Sequence, residues 1–274
     1  MRALFLASLS CAALLACAPT ESPRPAHMEA DQDAQASAAL DRALAAPTRS
    51  PANVARDTWR HPKQTLSFFG VKPDMTVVEI WPGRGWYTEV LAPYLSAGGT
   101  LYLGAQPGRA TEAIRALTES DSATYGKAII VTFPGDANLP QGTADAVLTF
   151  RNAHNWVMAG DEVANEAFKS FYAMLKPGGI LGVVDHRLPE DADSAREKTS
   201  GYTKVSTVKR LAAAAGFELV AESEINANPA DTKDYEKGVW TLPPVLALGD
   251  QDRAKYLAIG ESDRMTLKFR KPVK

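Results

Sequence analysis

From Thr76 onward the apolar positions fall into two alternating kinds of run. Short stretches rich in β-branched and aliphatic residues, at Thr76 to Ile80, Thr100 to Leu103, Ala128 to Phe133, Ala144 to Phe150 and Ile180 to Asp185, read as buried strands. Between them apolar residues recur at three- and four-residue spacing, over Trp86 to Leu95, about Arg109 to Leu117, and Val163 to Leu175, and predict amphipathic helices. A further helix, Lys204 to Ala215, ends at Gly216 and leads into FELVAESEI. The last run, RMTLKFRK, alternates strictly and predicts a strand lying antiparallel at a sheet edge. Strand and helix in turn are the mark of parallel βαβ units, so the pattern predicts an α/β fold. Pro93 removes a helical hydrogen bond to Glu89 and predicts an early end to its helix.

Upstream, Trp59, Leu66 and Phe69 stand at helix-like spacing before Gly70 and predict a cap helix. The stretch from Ala18 to Ser50 is rich in Pro, Ala, Ser and acids, with only a weak helical pattern near Ala38 to Ala46, and reads as a tether. The first residues, MRALFLASLSCAALLAC, carry one arginine and then an apolar run. That run is shorter than the roughly 20 residues needed to span a bilayer, so residues 1–16 read as a signal peptide. Its end, Leu14-Leu15-Ala16-Cys17, resembles the lipobox of bacterial lipoproteins, in which Cys17 would carry lipid; an ordinary secretory cleavage at or beyond Ala16 is the alternative. Residues 17–50 would then tether a domain over residues 51–274, exported to the periplasm and membrane-attached only through that lipid.

Charge and cysteine content narrow the chemistry. Thirty Lys and Arg face 32 Asp and Glu in 274 residues, with no basic run, which sets nucleic acid aside as a main ligand. The two cysteines, Cys11 and Cys17, both lie at the N-terminus, so the body has no disulfide and no thiolate nucleophile. Four histidines without metal-ligand spacing predict no metal.

In VVEIWPGRGWYTEVLAPYL a strand turns through Gly83 and Gly85 into a helix, an arrangement that aims backbone N–H groups at a ligand; its alternative is a tight βα turn with no ligand. Two further stretches, LKPGGILGVVDHR and FPGDANLPQGTADAVLTF, add a Pro-Gly-Gly turn before a late strand and an acid, Asp136, between two strands. Together these resemble a class I S-adenosylmethionine-dependent methyltransferase from about Pro62 to Pro272. The segments RHPKQTLSFFGVKPDMTVVEIWPGRGWYTEVLAPYL and SDRMTLKFRKP resemble, more narrowly, a group of exported predicted methyltransferases. The resemblance implies a Rossmann-like, mostly parallel seven-stranded sheet with an antiparallel C-terminal edge and helices on both faces. It also implies S-adenosylmethionine as cofactor, with Glu79, Gly83 and Gly85 in the first motif and Asp136 with Ala137 against the adenine. The chain departs from that pattern twice. Trp81 stands at the first glycine, and Gln106 stands where an acid usually holds the ribose, forfeiting charge-assisted bonds. The Trp81 indole either contacts the sulfonium by cation–π attraction or fills the pocket.

Methyl transfer is an in-line displacement on an already activated carbon, so the protein positions two partners and takes a proton where the nucleophile carries one. FRNAHNW follows a strand at its carboxyl end, where α/β sheets place ligands, and offers His154 as candidate base. Arg151 is a candidate cofactor contact, and Asn152 and Asn155 are candidate substrate contacts. A histidine that satisfies loop backbone groups, beside a Trp156 that packs, is the competing reading. His186, after the fifth strand, is a second catalytic candidate, with Asp185 either orienting its ring or ending the strand. Tyr87 and Trp156 join Trp81 as an apolar wall for a small, aromatic or otherwise apolar nucleophile, whereas Trp86 reads equally well as core. Because that cofactor is made in the cytoplasm, export sets a second reading beside the enzyme: a non-catalytic ligand-binding lipoprotein on the same fold.

Overall fold

The computed structural model describes residues 26–273, so residues 1–16, read above as a signal peptide, and Cys17 lie outside the described residues. Eight strands form the sheet: β1 (Thr76–Ile80), β2 (Thr100–Ala105), β3 (Ile129–Thr132), β4 (Ala144–Phe150), β5 (Leu175–Leu188), β6 (Thr203–Lys204), β7 (Glu218–Ser223) and β8 (Arg264–Arg270). The N-terminal helices are α1 (Ala26–Leu44), α2 (Pro51–Val54), α3 (Asp57–Arg60) and α4 (Pro62–Phe69). Next come α5 (Thr88–Leu95), α6 (Arg109–Ser120), α7 (Ser122–Tyr125) and α8 (Ala153–Ala159). The last three are α9 (Asp161–Met174), α10 (Val205–Ala215) and α11 (Arg253–Ile259). Among the described residues no helix is long and apolar enough to cross a membrane.

The strand order is β3-β2-β1-β4-β5-β8-β7, with the short β6 beside β5. Pairings from β3 through β5 are parallel, and β8 runs antiparallel to both β5 and β7. This is the Rossmann-like α/β sheet of the methyltransferase fold. The chain winds outward from β1 to β2 and β3, then returns to β4 on the other side of β1, which makes the β1/β4 gap the switch point where such sheets hold ligands. Alternation along β1 fixes what faces what: Val78 and Ile80 join the core under α8, α9 and α10, while Val77 joins the core under α1, α4 and α5. Glu79 therefore points to the α5 side.

Four expectations are corrected. The segment read as a tether is helical from Ala26 to Leu44, and Ala36, Leu40 and Ala43 are buried, with Leu40 and Ala43 in the core beneath α4 and α5. Positions 36, 39, 40 and 43 give the one-sided apolar stripe that a docked helix needs. The cap is two short helices, because His61 adopts a left-handed φ of 40° before Pro62, which disfavours α geometry in its predecessor and starts α4 instead. The helix containing Pro93 runs on to Leu95, held by the buried Leu91, Tyr94 and Leu95. Finally, β8 is interior: its Met265, Leu267 and Phe269 enter the core, and β7 forms the edge.

Candidate functional site

The loop after β1 keeps one sheet bond, from Trp81 N–H to the Gly104 carbonyl (2.8 Å), before it leaves the sheet. Trp81 then takes a φ of 51°, uncommon for a bulky residue, which commits the chain to a sharp turn. Its indole Nε1 donates to the Phe133 carbonyl (3.1 Å), and its ring centroid lies 4.9 Å from that of Trp156. At Gly85, φ is 83°, a conformation that strains any side chain, and a Cβ would meet Leu117 Cδ2 of α6 at 2.2 Å, so that leucine would have to shift for any other residue.

Two cavities open around this loop, of 390 and 660 Å³, both within the ~300–1,000 Å³ usual for small-molecule sites. Trp81, Pro82, Gly83 and Asn152 line both, and so form their shared wall. The smaller adds Ala105 and Gln106 at the end of β2, with Asn155. The larger adds Glu79, Trp86, Tyr87 and Arg151, together with Arg56 and Arg60 from the cap. The tryptophan thus stands between two spaces and leaves both open.

Glu79 is buried and accepts a hydrogen bond from Thr88 Oγ1 (2.7 Å); burial outweighs that bond and pushes its carboxyl from 4.5 to about 7. Between those values the folded chain holds a proton that the unfolded chain releases, so this group's contribution to stability falls as pH rises through 7. We expect Glu79→Gln to melt higher than the parent at about pH 8 and to lose that advantage below about pH 4.5, as thermal denaturation across the range would read. A parent curve parallel to the variant's would rule this out.

The other anticipated residues divide. Gln106 is exposed at the rim of the smaller cavity, and Asn155 is half-buried in its wall. Tyr87 is buried, stacks on Phe150 at 3.5 Å, and lines the larger cavity; burial pushes its phenol up to about 12. Asn152 Nδ2 donates to the Ile80 carbonyl (3.0 Å), the Trp81 carbonyl (3.3 Å) and Thr149 Oγ1 (3.2 Å), so it ties the β1 and β4 ends together while facing both spaces. Asp136 and the exposed Ala137 line neither cavity. The Asp136 carboxylate accepts the Asn138 and Thr132 N–H groups, each at 2.9 Å, and those bonds lower its pKa. Trp156 is core rather than substrate wall: it is 2% exposed and packs on Phe171 at 5.3 Å.

The two histidines meet behind the cavities. His154 is buried, and its backbone N–H (2.6 Å) and ring Nδ1 (2.8 Å) both bind Asp185, which also accepts the His186 N–H (2.9 Å). Asp185 therefore orients His154, the histidine across the strand ends, rather than the ring of its neighbour. His186 Nδ1 contacts Ser262 Oγ, and its Nε2 accepts from Arg151 Nε (3.3 Å). Burial, then Arg151 and His154, holds its pKa well below the ordinary value, so the ring is neutral. His154, Asp185 and His186 offer ligand atoms within 4.8 Å of one another, but both His186 nitrogens are engaged and a guanidinium adjoins them, an arrangement of a hydrogen-bond network rather than a cation site. Neither histidine lines either cavity.

Sequence reasoning missed a cluster around Glu261. That buried carboxylate accepts from Arg56 Nε (2.6 Å), Arg60 Nε (3.0 Å) and Arg264 Nη1 (3.1 Å). Burial alone would raise its pKa, but Arg60, Arg264, Arg151 and Arg56 outweigh it and hold it at about 2. Burial lowers Arg60 to about 9, against the pull of Glu261. The available signal was the pair of arginines four apart in ARDTWRHP, which share one face of a helical turn.

No family model and no curated protein matches the chain in sequence. Solved structures do match its fold. A SAM-dependent methyltransferase from Aquifex aeolicus aligns with a TM-score of 0.54 at 14% identity, covering 86% of this chain and 98% of that one. A putative sarcosine dimethylglycine methyltransferase from Galdieria sulphuraria gives 0.55 at 13%, covering 79% and 85%. The [4+2]-cyclase SpnF also gives 0.55, at 14%, covering 78% and 81%. The chain thus has the fold of SAM-dependent methyltransferases, with a glycine loop and two adjoining cavities at the switch point.

Proposed function

We propose that the protein is an S-adenosylmethionine-dependent methyltransferase acting on a small nucleophile. The observation that carries the reading is the pair of cavities meeting at Trp81, Pro82, Gly83 and Asn152, where one space serves the cofactor and the other the acceptor. In the cofactor space Gly83 and Gln106 would hold the nucleoside end, with Gly85 shaping the turn behind them, and Trp81 would flank the sulfonium. The bound cofactor supplies an activated methyl group. The chain's own part is to align the acceptor across the shared wall and exclude water. Glu79, protonated to about pH 7, faces the acceptor space and supersedes His154 as the group nearest the chemistry, while Asp185 and His154 brace the Arg151 loop from behind. Residues 1–16 and Cys17 belong to the same proposal as a cleaved signal and a lipid-bearing first residue, which the intact mass of membrane-extracted protein reports.

Calorimetric titration with S-adenosylmethionine and S-adenosylhomocysteine tests the reading. Both should bind, and Trp81→Gly should weaken the sulfonium ligand by the ~0.5–2 kcal/mol of a cation–π contact while changing the uncharged thioether less. Equal losses for both ligands would leave Trp81 as wall only, and absence of heat with either would remove the enzyme reading.

A non-catalytic binding role has one observation in its favour: the Asp136 carboxylate is spent on its own loop, and Gln106 brings no charge to the rim. The likeness to a structure described as a cyclase shows that this fold also occurs under another chemistry.

A further inference from the structure

The larger cavity carries more positive charge than a methyl donor requires. Arg56, Arg60, Arg84 and Arg151 line it, and Arg264 joins the first two on Glu261. Facing these cations are Glu261, Asp185 through its longer-range effect on Arg151, and Glu79, which burial keeps protonated to about pH 7. Among the described residues the cluster is therefore left with a positive surplus. Burying such a surplus is costly unless an anion completes it.

Unpaired donors belong to two of the arginines that line the cavity. Glu261 engages Arg56 and Arg60 through Nε, so each guanidinium is held by one edge. The Nη2 atoms of both are buried with no hydrogen-bond partner among the described residues, and Arg60 as a whole is 5% exposed. A guanidinium edge with a free N–H matches the oxygens of a carboxylate or phosphate. The Arg60 cation lies 4.7 Å from the Trp86 ring centroid, and Tyr87 and Phe150 continue the apolar wall from there. Arg84 is exposed at the cavity and has no ion-pair partner among the described residues, so it stands ready to meet an incoming charge.

We infer that this cavity binds an organic oxyanion, a carboxylate or a phosphate ester, through Arg56 and Arg60, with the body of the ligand against Trp86, Tyr87 and Phe150. As the class of methyl acceptor this rests on the methyltransferase reading; as an anion site it does not depend on it.

Calorimetric titration of the full protein with benzoate, phenyl phosphate and benzamide, each with and without S-adenosylhomocysteine, separates the two. At least one oxyanion should bind, the tighter of the two naming the source, and neutral benzamide should bind about tenfold more weakly or worse. Arg56→Gln should cost the oxyanion about tenfold and leave benzamide unchanged. Arg84→Gln, at an exposed position that does not endanger the fold, should weaken the oxyanion several-fold with the same selectivity. Equal affinity for benzoate and benzamide, or binding of S-adenosylhomocysteine with no oxyanion bound, overturns the anion site. Oxyanion binding without any S-adenosylhomocysteine binding supports the anion site and overturns the methyltransferase reading instead.

Discussion

Glu261→Gln is expected to cost the fold about 3–5 kcal/mol, seen as a lower urea midpoint at unchanged slope. The reason lies in the asymmetry of buried ion clusters: removing one partner leaves the others charged and desolvated. Glu261 is 3% exposed and is the acceptor for three guanidinium groups, those of Arg56, Arg60 and Arg264. Glutamine keeps the shape and one acceptor oxygen but turns an NH₂ toward cations. The same group sets an acid limit. Its pKa of about 2 lies below the ordinary 4.5, so its contribution is complete above about pH 4.5 and is lost as pH falls toward 2. The variant should lack that limb of the pH–stability curve. A loss smaller than ~1 kcal/mol would mean that solvent, not Glu261, balances the arginines.

Asp185→Ala should cost about 3 kcal/mol or more, since each buried donor left without a partner costs ~1–3 kcal/mol. Asp185 is fully buried and accepts three N–H groups, two from His154 and one from His186. Its loss frees the His154 ring and loosens the start of α8, in which the last four residues of FRNAHNW lie. A nuclear magnetic resonance signal from a slowly exchanging His154 Nδ1 proton should be present in the parent and absent in the variant. Persistence of that signal would show that another acceptor fixes the ring.

Local patterns made most of the sheet legible. The bounds read for β1 and β4 are those observed, because β-branched runs closed by turn residues carry their own signal. The glycine loop was legible for the same reason, since positive φ at Gly83 and Gly85 is a property of a few adjacent residues. What stayed hidden depends on residues distant in sequence. Arg56 and Arg60 meet Glu261 across 205 and 201 positions, and Asp185 meets His154 across 31, so no window of sequence joins them. Trp156 misled because an indole suits a ligand wall and a core alike; Phe133, Phe171 and Trp81 around it decide for the core. The α1 segment misled because alanine and acids dilute its apolar stripe, which a few buried positions suffice to dock.

The interior place of β8 has a consequence for how the molecule is assembled. Among the described residues β7 pairs only with β8, and β8 bonds β5 on its other side, so β7 is attached to the sheet through a strand that is synthesised after it. A nascent chain can pair β1 through β5 while still emerging, but β7 has no docking edge until residues 264–270 leave the ribosome. Contacts between β5 and β8 join segments about eighty residues apart, a loop closure that slows the final step. The arginine cluster inherits that order, because Glu261 and Arg264 arrive with the last strand, so the charged cavity is finished only when the sheet is.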